Sequence, residues 1–202
     1  DGIRDKLVTG VQTCALPIFH ELRRRDSNLR MCVSHTTRPR RATEVDGDDY
    51  HFTDVAHFES MIAADAFLEY ARVFDHYYGT SRAALTAAFE GGHDVILEID
   101  WQGARQVRSR EPSCTSLFVL PPSRAELERR LRARRTDSDA VIARRLRDAV
   151  EDMSHYREFD YVIVNAEFER AVADAREIIA GRGTALRADR PELAPLAAEL
   201  LA

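Results

Sequence analysis

Three short apolar runs constrain this chain more than anything else in it. Asp94-Val95-Ile96-Leu97-Glu98-Ile99-Asp100, residues 116–120 and Tyr161-Val162-Ile163-Val164-Asn165 are apolar in their middle without alternation, as strands of a parallel sheet covered on both faces must be. Each leads into a stretch with helix-starting signals: Asp100 before Trp101, a capping box at Ser123-Arg124-Ala125-Glu126, and residues 167–180 after Asn165. A fourth run, 29–34, follows a helix that ends near Arg25. Strand and helix in alternation predict an α/β fold with a mostly parallel sheet and flanking helices. In such sheets ligands sit beyond the carboxyl ends of the strands, where Ser34, Asp100, Pro121 and Asn165 fall.

Residues 35–90 interrupt the alternation and read as a small inserted α+β lobe. Tyr50-His51-Phe52 is a short strand, Asp54 caps a helix running to about Ala63, and 67–74 forms a strand with Glu69 on one face. Tyr77-Tyr78-Gly79-Thr80-Ser81 reads as a turn, with Ser81 capping a helix that stops at Gly91-Gly92. Beyond the lobe, residues 135–138 break one helix and a long one runs from about Asp139 to Tyr156. The tail, 181–202, is rich in Ala, Leu and Pro and is expected to be peripheral.

Composition removes several function classes. A formal charge of −5 argues against a general polyanion binder, so nucleic acid is not expected as a partner. Cys14, Cys32 and Cys114 form no CxxC pair, and the seven histidines show no metal-ligand spacing, so neither a disulfide framework nor a protein-held metal is expected. The cysteine usage suits a reducing cytoplasm. No apolar run approaches the roughly 18 residues of a membrane span. Length suits one compact domain of 202 residues, and oligomeric state is left open between monomer and homo-oligomer.

The chemistry gathers after the 29–34 run. Ser34-His35-Thr36-Thr37-Arg38-Pro39-Arg40-Arg41 places hydroxyls and arginines in one loop, with Tyr50 beyond a turn at Asp46-Gly47. Guanidinium forks fit phosphate in a bidentate way and hydroxyls complete the shell. Lone arginines beside a strand are usually solvated, but Tyr50 and Tyr78 add donors here, while Glu69 and Asp100 add carboxylates beside Ser34 and Thr80. A carboxylate repels phosphate, so it belongs at the other end of the ligand. Guanine suits it: N1–H and the 2-amino group are adjacent donors, and O6 takes a hydroxyl such as that of Ser34 or Thr80.

The ordered set Ser34-His35-Thr36-Thr37-Arg38, Glu44-Val45-Asp46-Gly47, Phe67-Leu68-Glu69, Tyr77-Tyr78-Gly79-Thr80-Ser81, Ile99-Asp100-Trp101-Gln102-Gly103 and Tyr161-Val162-Ile163-Val164-Asn165 resembles guanylate kinase over about 19–180. The resemblance implies a P-loop-kinase-like core (19–34 and 91–180), a GMP-binding lobe (35–90) and a helical lid (about 129–145). It also implies phosphoryl transfer from ATP to GMP with Mg2+. By position, Arg38, Arg41, Tyr50 and Tyr78 would hold the GMP phosphate, and Ser34, Glu69, Thr80 and Asp100 the guanine. Arg134 and Arg145 would reach the transferring phosphate, and Asn165 would lie near the adenine. Most of the nine arginines between 124 and 147 read instead as a solvated helical face. Trp101 and Phe118 read as core, and His155 as structural.

The chain departs from the family where the glycine-rich GxxxxGK[ST] loop should precede the first helix. Its only lysine is Lys6, with no glycine pattern around it. Residues 1–18 read as a non-native segment in place of the P-loop strand, with the look of a translated sequencing adapter joined to a gene fragment. Impaired ATP use and a weakened sheet are expected consequences. Lesser departures are Pro39-Arg40, Glu98 in place of aspartate, and Arg135 in place of a lid glycine. The alternative to a kinase is an inactive guanylate-kinase-like module that recognises GMP or a phosphopeptide. An RNA-associated factor using the lid arginines is disfavoured by the net negative charge.

Overall fold

The computed structural model describes residues 15–73, 75–133 and 138–202. The chain runs through α1 (Leu16–Arg25) and β1 (Leu29–Met31) into a lobe of β2 (His35–Thr36), β3 (His51–Phe52), α2 (Val55–Ala63), β4 (Phe67–Val73) and β5 (His76–Ser81). It returns through α3 (Arg82–Glu90), β6 (Asp94–Ile96), α4 (Trp101–Arg110), β7 (Leu117–Leu120), α5 (Arg124–Ala133) and α6 (Asp139–Ser154). The chain then closes with β8 (Tyr161–Val164), α7 (Phe168–Ile179) and α8 (Leu193–Leu201). The fold is the expected α/β architecture.

The apolar runs do become parallel strands. β1 pairs with β6 and β7 with β8, and among the described residues no ladder joins the two pairs. Asp160 ties the second pair at its start: its Oδ2 accepts from Ser116 N at 2.8 Å and Ser116 Oγ at 2.7 Å. Helices cover the strands with apolar stripes. In α7, Ala171, Val172, Ala175, Ile178 and Ile179 recur at helical spacing and are buried. From α1, Ile18, Phe19 and Leu22 have no exposed surface. Ala15 and Ile18 fall within the 1–18 segment, yet both belong to the core.

The predicted caps at Asp54 and Ser81 form, and Asp100 and Ser138 cap their helices in the same way, each accepting from the backbone N–H three residues on; Ser123 accepts from Glu126 N at 3.1 Å. The predicted turn at 77–81 does not form. That segment is strand β5, antiparallel to β4, and the chain reverses instead at Asp75, where φ is +71°. Gly79 belongs to this strand because of close approach: a Cβ there would lie 3.0 Å from Glu69 O, Phe58 Cζ and Phe67 Cδ1. Phe58 stacks on Phe67 at 4.4 Å and on Tyr77 at 5.1 Å, which gives the lobe an aromatic core of its own.

The tail is packed. Leu193, Ala197 and Leu200, at helical spacing, are buried in α8, which lies against α6. Arg190 Nη1 donates to Val162 O at 2.7 Å, satisfying a carbonyl of β8. The buried residues of α8 lie on one stripe.

Strand β4 is the outer strand of the lobe's sheet, which is ordered β3-β2-β5-β4. Its free edge is met by side chains of α4. The Gln106 amide donates to Tyr70 O at 2.6 Å and accepts from Tyr70 N at 3.2 Å, as a neighbouring strand would. Arg110 donates to Phe67 O at 2.9 Å and also to Leu68 O. These bonds fix the lobe to the core. Gly79→Ala is expected to lower the unfolding free energy by about 1–3 kcal/mol, read as a lower urea midpoint at unchanged slope.

Candidate functional site

A cavity of about 390 Å3 lies between the lobe and the carboxyl ends of β1 and β6. Its wall brings together Ser34, Arg38, Arg41, Tyr50, Glu69, Tyr78, Asp100 and Arg145 from six separate parts of the chain. Thr80 stands just behind, with no exposed surface, its Oγ1 3.3 Å from Ser34 Oγ. Of the remaining expected site residues, Arg134 lies outside the described residues. Asn165, 6% exposed, is outside this wall: it sits past the end of β8, its N–H donating to Leu120 O at 2.8 Å and its carbonyl accepting from Arg130 at 2.9 Å.

One part of the wall is acidic and hydroxyl-bearing. Glu69 is 2% exposed on β4. Burial pushes its carboxyl up to about 7; the hydroxyl and N–H of Thr80 oppose this, and the charge of Asp100 adds to it. Asp100 caps α4: Oδ1 accepts from Gly103 N at 2.8 Å and Oδ2 from Gln102 Nε2 at 3.0 Å. Burial raises its pKa in spite of those bonds. Gly103 explains the glycine of the Asp100-Trp101-Gln102-Gly103 motif, since a Cβ there would strike Glu69 Oε2.

The other part is basic and aromatic. Arg38 lies over the rings of Tyr50 and Phe52, at 5.5 and 5.8 Å, and Tyr50 meets Tyr78 edge-on at 5.9 Å. Glu44 organises the arginines, a role that sequence reading missed. Its carboxylate binds Arg38 in a bidentate way at 2.6 and 3.1 Å and accepts from Arg41 N at 2.7 Å, while its carbonyl accepts from Arg40 at 3.1 Å. Burial works against the Glu44 charge, but the bonds from Arg38 and Arg41 outweigh it and its pKa lies below the usual value. Its signal in the sequence was one acid three to six residues after three arginines.

Thr36 and Thr37, expected to help complete the anion shell, serve the backbone instead. Thr36 Oγ1 donates to Tyr77 O at 3.0 Å and accepts from Arg38 N at 3.1 Å, and Thr37 Oγ1 accepts from Tyr77 N at 2.9 Å. They pin the arginine loop to β5. Trp101, expected in the core, lines the cavity, stacked on His155 at 3.8 Å and facing Arg105 at 4.5 Å. Phe118 is 2% exposed and serves both core and wall. Asp152 of α6, not singled out from the sequence, also lines the cavity.

A wall that offers arginines and tyrosines on one side and buried carboxylates with hydroxyls on the other can hold a ligand with an anionic end and a donor-rich end. Comparison with known proteins gives the family. The sequence model of guanylate kinase matches residues 9–182, beginning inside the 1–18 segment. The guanylate kinase of Methylococcus capsulatus is 54% identical over 174 residues, 86% of this chain and 85% of that protein. That of Alkalilimnicola ehrlichii is 50% identical over 184 residues, 91% of each. The crystal structure of guanylate kinase from Anaplasma phagocytophilum superposes with a TM-score of 0.71 at 30% identity, covering 95% of this chain and 92% of that one. This chain belongs to the guanylate kinase family.

Proposed function

We propose that the cavity is a GMP site and that the protein's reaction is phosphoryl transfer from ATP to GMP, giving ADP and GDP. One observation carries the reading: a single cavity wall holds Arg38, Arg41, Tyr50 and Tyr78 together with Ser34, Glu69 and Asp100. The first four suit a phosphate monoester; the last three, with Thr80 behind, suit the guanine edge. A phosphopeptide would use the arginines but has no need of a buried Glu69, so the binding-module reading is the weaker one.

The work of these residues is positioning and charge neutralisation. Glu44 holds Arg38 in place before a phosphate arrives. An arriving phosphate competes with Glu44 for the same guanidinium. Arg145, reaching the cavity from α6, and Arg134 would stabilise the transferring group, and Asn165 would lie toward the adenine. Mg2+ supplies charge neutralisation on the phosphates when bound. Among the described residues no set of three or more His, Cys, Asp or Glu side chains could hold a metal.

The donor half is where this chain departs from its family, because residues 1–18 carry no GxxxxGK[ST]. We therefore read GMP recognition as intact and phosphoryl transfer as impaired. A cytoplasmic place accords with Cys32 and Cys114 being free thiols, and among the described residues no helix is long and apolar enough to cross a membrane.

Calorimetry with GMP, AMP and a phosphoserine peptide tests the reading: GMP binds and the other two bind far more weakly. Arg38→Ala weakens GMP by about tenfold or more, since it removes a charge-assisted bidentate contact, and unchanged affinity would mean the loop does not hold the phosphate.

The pH dependence follows from Glu69. Its carboxyl titrates near 7 in the free protein, and the protonated form cannot accept from N1–H and the amino group together. GMP affinity therefore falls as pH drops from 8 to 6, and Glu69→Gln, already weak, loses that part of the slope. Folding stability moves the other way. The raised folded-state pKa means the native state holds the proton longer than the unfolded chain, so this group's contribution is full below about 4.5 and is lost as pH rises through about 7.

Replacing residues 1–14 with a segment bearing GxxxxGK[ST] restores ADP production from ATP and GMP, measured by a coupled assay. If the graft binds ATP and GMP yet yields no ADP, the kinase reading fails.

A further inference from the structure

We propose that Asp152 is a specificity-determining residue of the same cavity, accepting a hydrogen bond from the 2-amino group of guanine, and that Trp101 positions it. The inference rests on the GMP reading above. Guanine presents three N–H bonds on one edge: N1–H and two on the 2-amino group. A carboxylate such as Glu69 can take N1–H and the nearer amino hydrogen, which leaves the outer one needing an acceptor. Asp100, also on the guanine side, already accepts at both oxygens, from Gly103 N and Gln102 Nε2, so its remaining acceptor capacity is reduced rather than whole. Asp152 stands in the same wall as Trp101, and the Trp101 side chain opposes the upward push of burial on its carboxyl.

A second observation comes from α6. Arg145, Ala149 and Asp152 all line the cavity, at spacings of four and three residues that put them on one helical face. Arg145 and Asp152 are separated by two turns, about 10 Å along the axis, with a small side chain between them. One helix thus faces the cavity with a cation and an anion in the order that suits a ligand with a phosphate at one end and a donor-rich base at the other. Trp101 is itself immobilised: it is stacked on His155 and faces Arg105, and Arg105 Nε and His155 Nδ1 both bond Glu158, at 2.6 and 2.7 Å.

The fold gains little from Asp152. Burial, then the neighbouring charges of Asp100, Asp148 and Glu151, push its carboxyl up to about 7, with Trp101 opposing. Removing it relieves those costs, and alanine is well tolerated in a helix.

The test is calorimetry with GMP and with IMP, which lacks the 2-amino group, on the full chain and three variants. Asp152→Ala is expected to weaken GMP about tenfold while leaving IMP within twofold, at an unchanged or higher melting temperature without ligand. Asp152→Asn, whose amide oxygen can still accept, recovers part of the GMP preference. Trp101→Phe gives a smaller loss of the same kind. Equal weakening of GMP and IMP by Asp152→Ala, or no weakening of either, overturns the role of Asp152 while the GMP reading stands. Failure of the unsubstituted chain to bind either nucleotide overturns the GMP reading and this inference with it.

Discussion

The contact on which the site depends is the clasp between α4 and the outer edge of β4. Unpaired strand edges are ordinarily solvated or covered, and here Gln106 covers one with both halves of its amide, at 2.6 and 3.2 Å from Tyr70 O and N. Arg110 takes two further carbonyls, of Phe67 and Leu68. Each neutral bond contributes only about 0.5–1.5 kcal/mol, but together they set the position of β4 against the helix whose first turn carries Asp100 and Gly103. Glu69 lies between the clasped residues Leu68 and Tyr70, so the same bonds bring its carboxylate against Gly103. A carboxylate 2% exposed is unstable unless it is tightly placed. Burial raises its pKa, with the bonds from Thr80 opposing and the charge of Asp100 adding to the rise.

The arginine loop solves the opposite problem, since a cluster of cations must be held together before its anion arrives. Arg38 and Glu44 have only 14% and 13% of their side chains exposed, so this pair is screened less than a surface bridge. Thr36 and Thr37 fix the backbone on β5, and Tyr50 and Phe52 lie under the guanidinium. On the proposed reading an incoming phosphate would meet an ordered cation, which lowers the entropic cost of binding, and would compete with Glu44 for the Arg38 guanidinium.

The sequence made legible whatever has a local cause. Apolar runs gave the parallel strands, and Asp54, Ser81, Asp100 and Ser123 gave helix starts that the backbone bonds bear out. Eight of the expected residues meet in one wall because motif order carries the topology with it. What stayed hidden depends on partners far away in the chain. Gly79 resembles a turn residue until Phe58 and Phe67 are seen against it; Gln106 resembles a solvated helix residue until β4 is seen beside it. Trp101 was read as core because aromatic residues usually are, and only the stack with His155 and the opening toward Asp152 reveal its position in the wall. In the tail, likewise, the spacing of Leu193, Ala197 and Leu200 gains its meaning with α6 beneath it.

The two halves of a phosphoryl-transfer site need not stand or fall together here. The lobe has its own aromatic core in Phe58, Phe67 and Tyr77, its own four-stranded sheet, and a clasp to α4 that uses no residue before Tyr50. The parallel core is built otherwise: among the described residues its strands form two pairs without a shared ladder, held by α1 and α7 packing across them. The cavity meets that core at β1, whose end leads to Ser34, and at α6, whose Arg145 and Asp152 line the cavity while α8 packs against the helix.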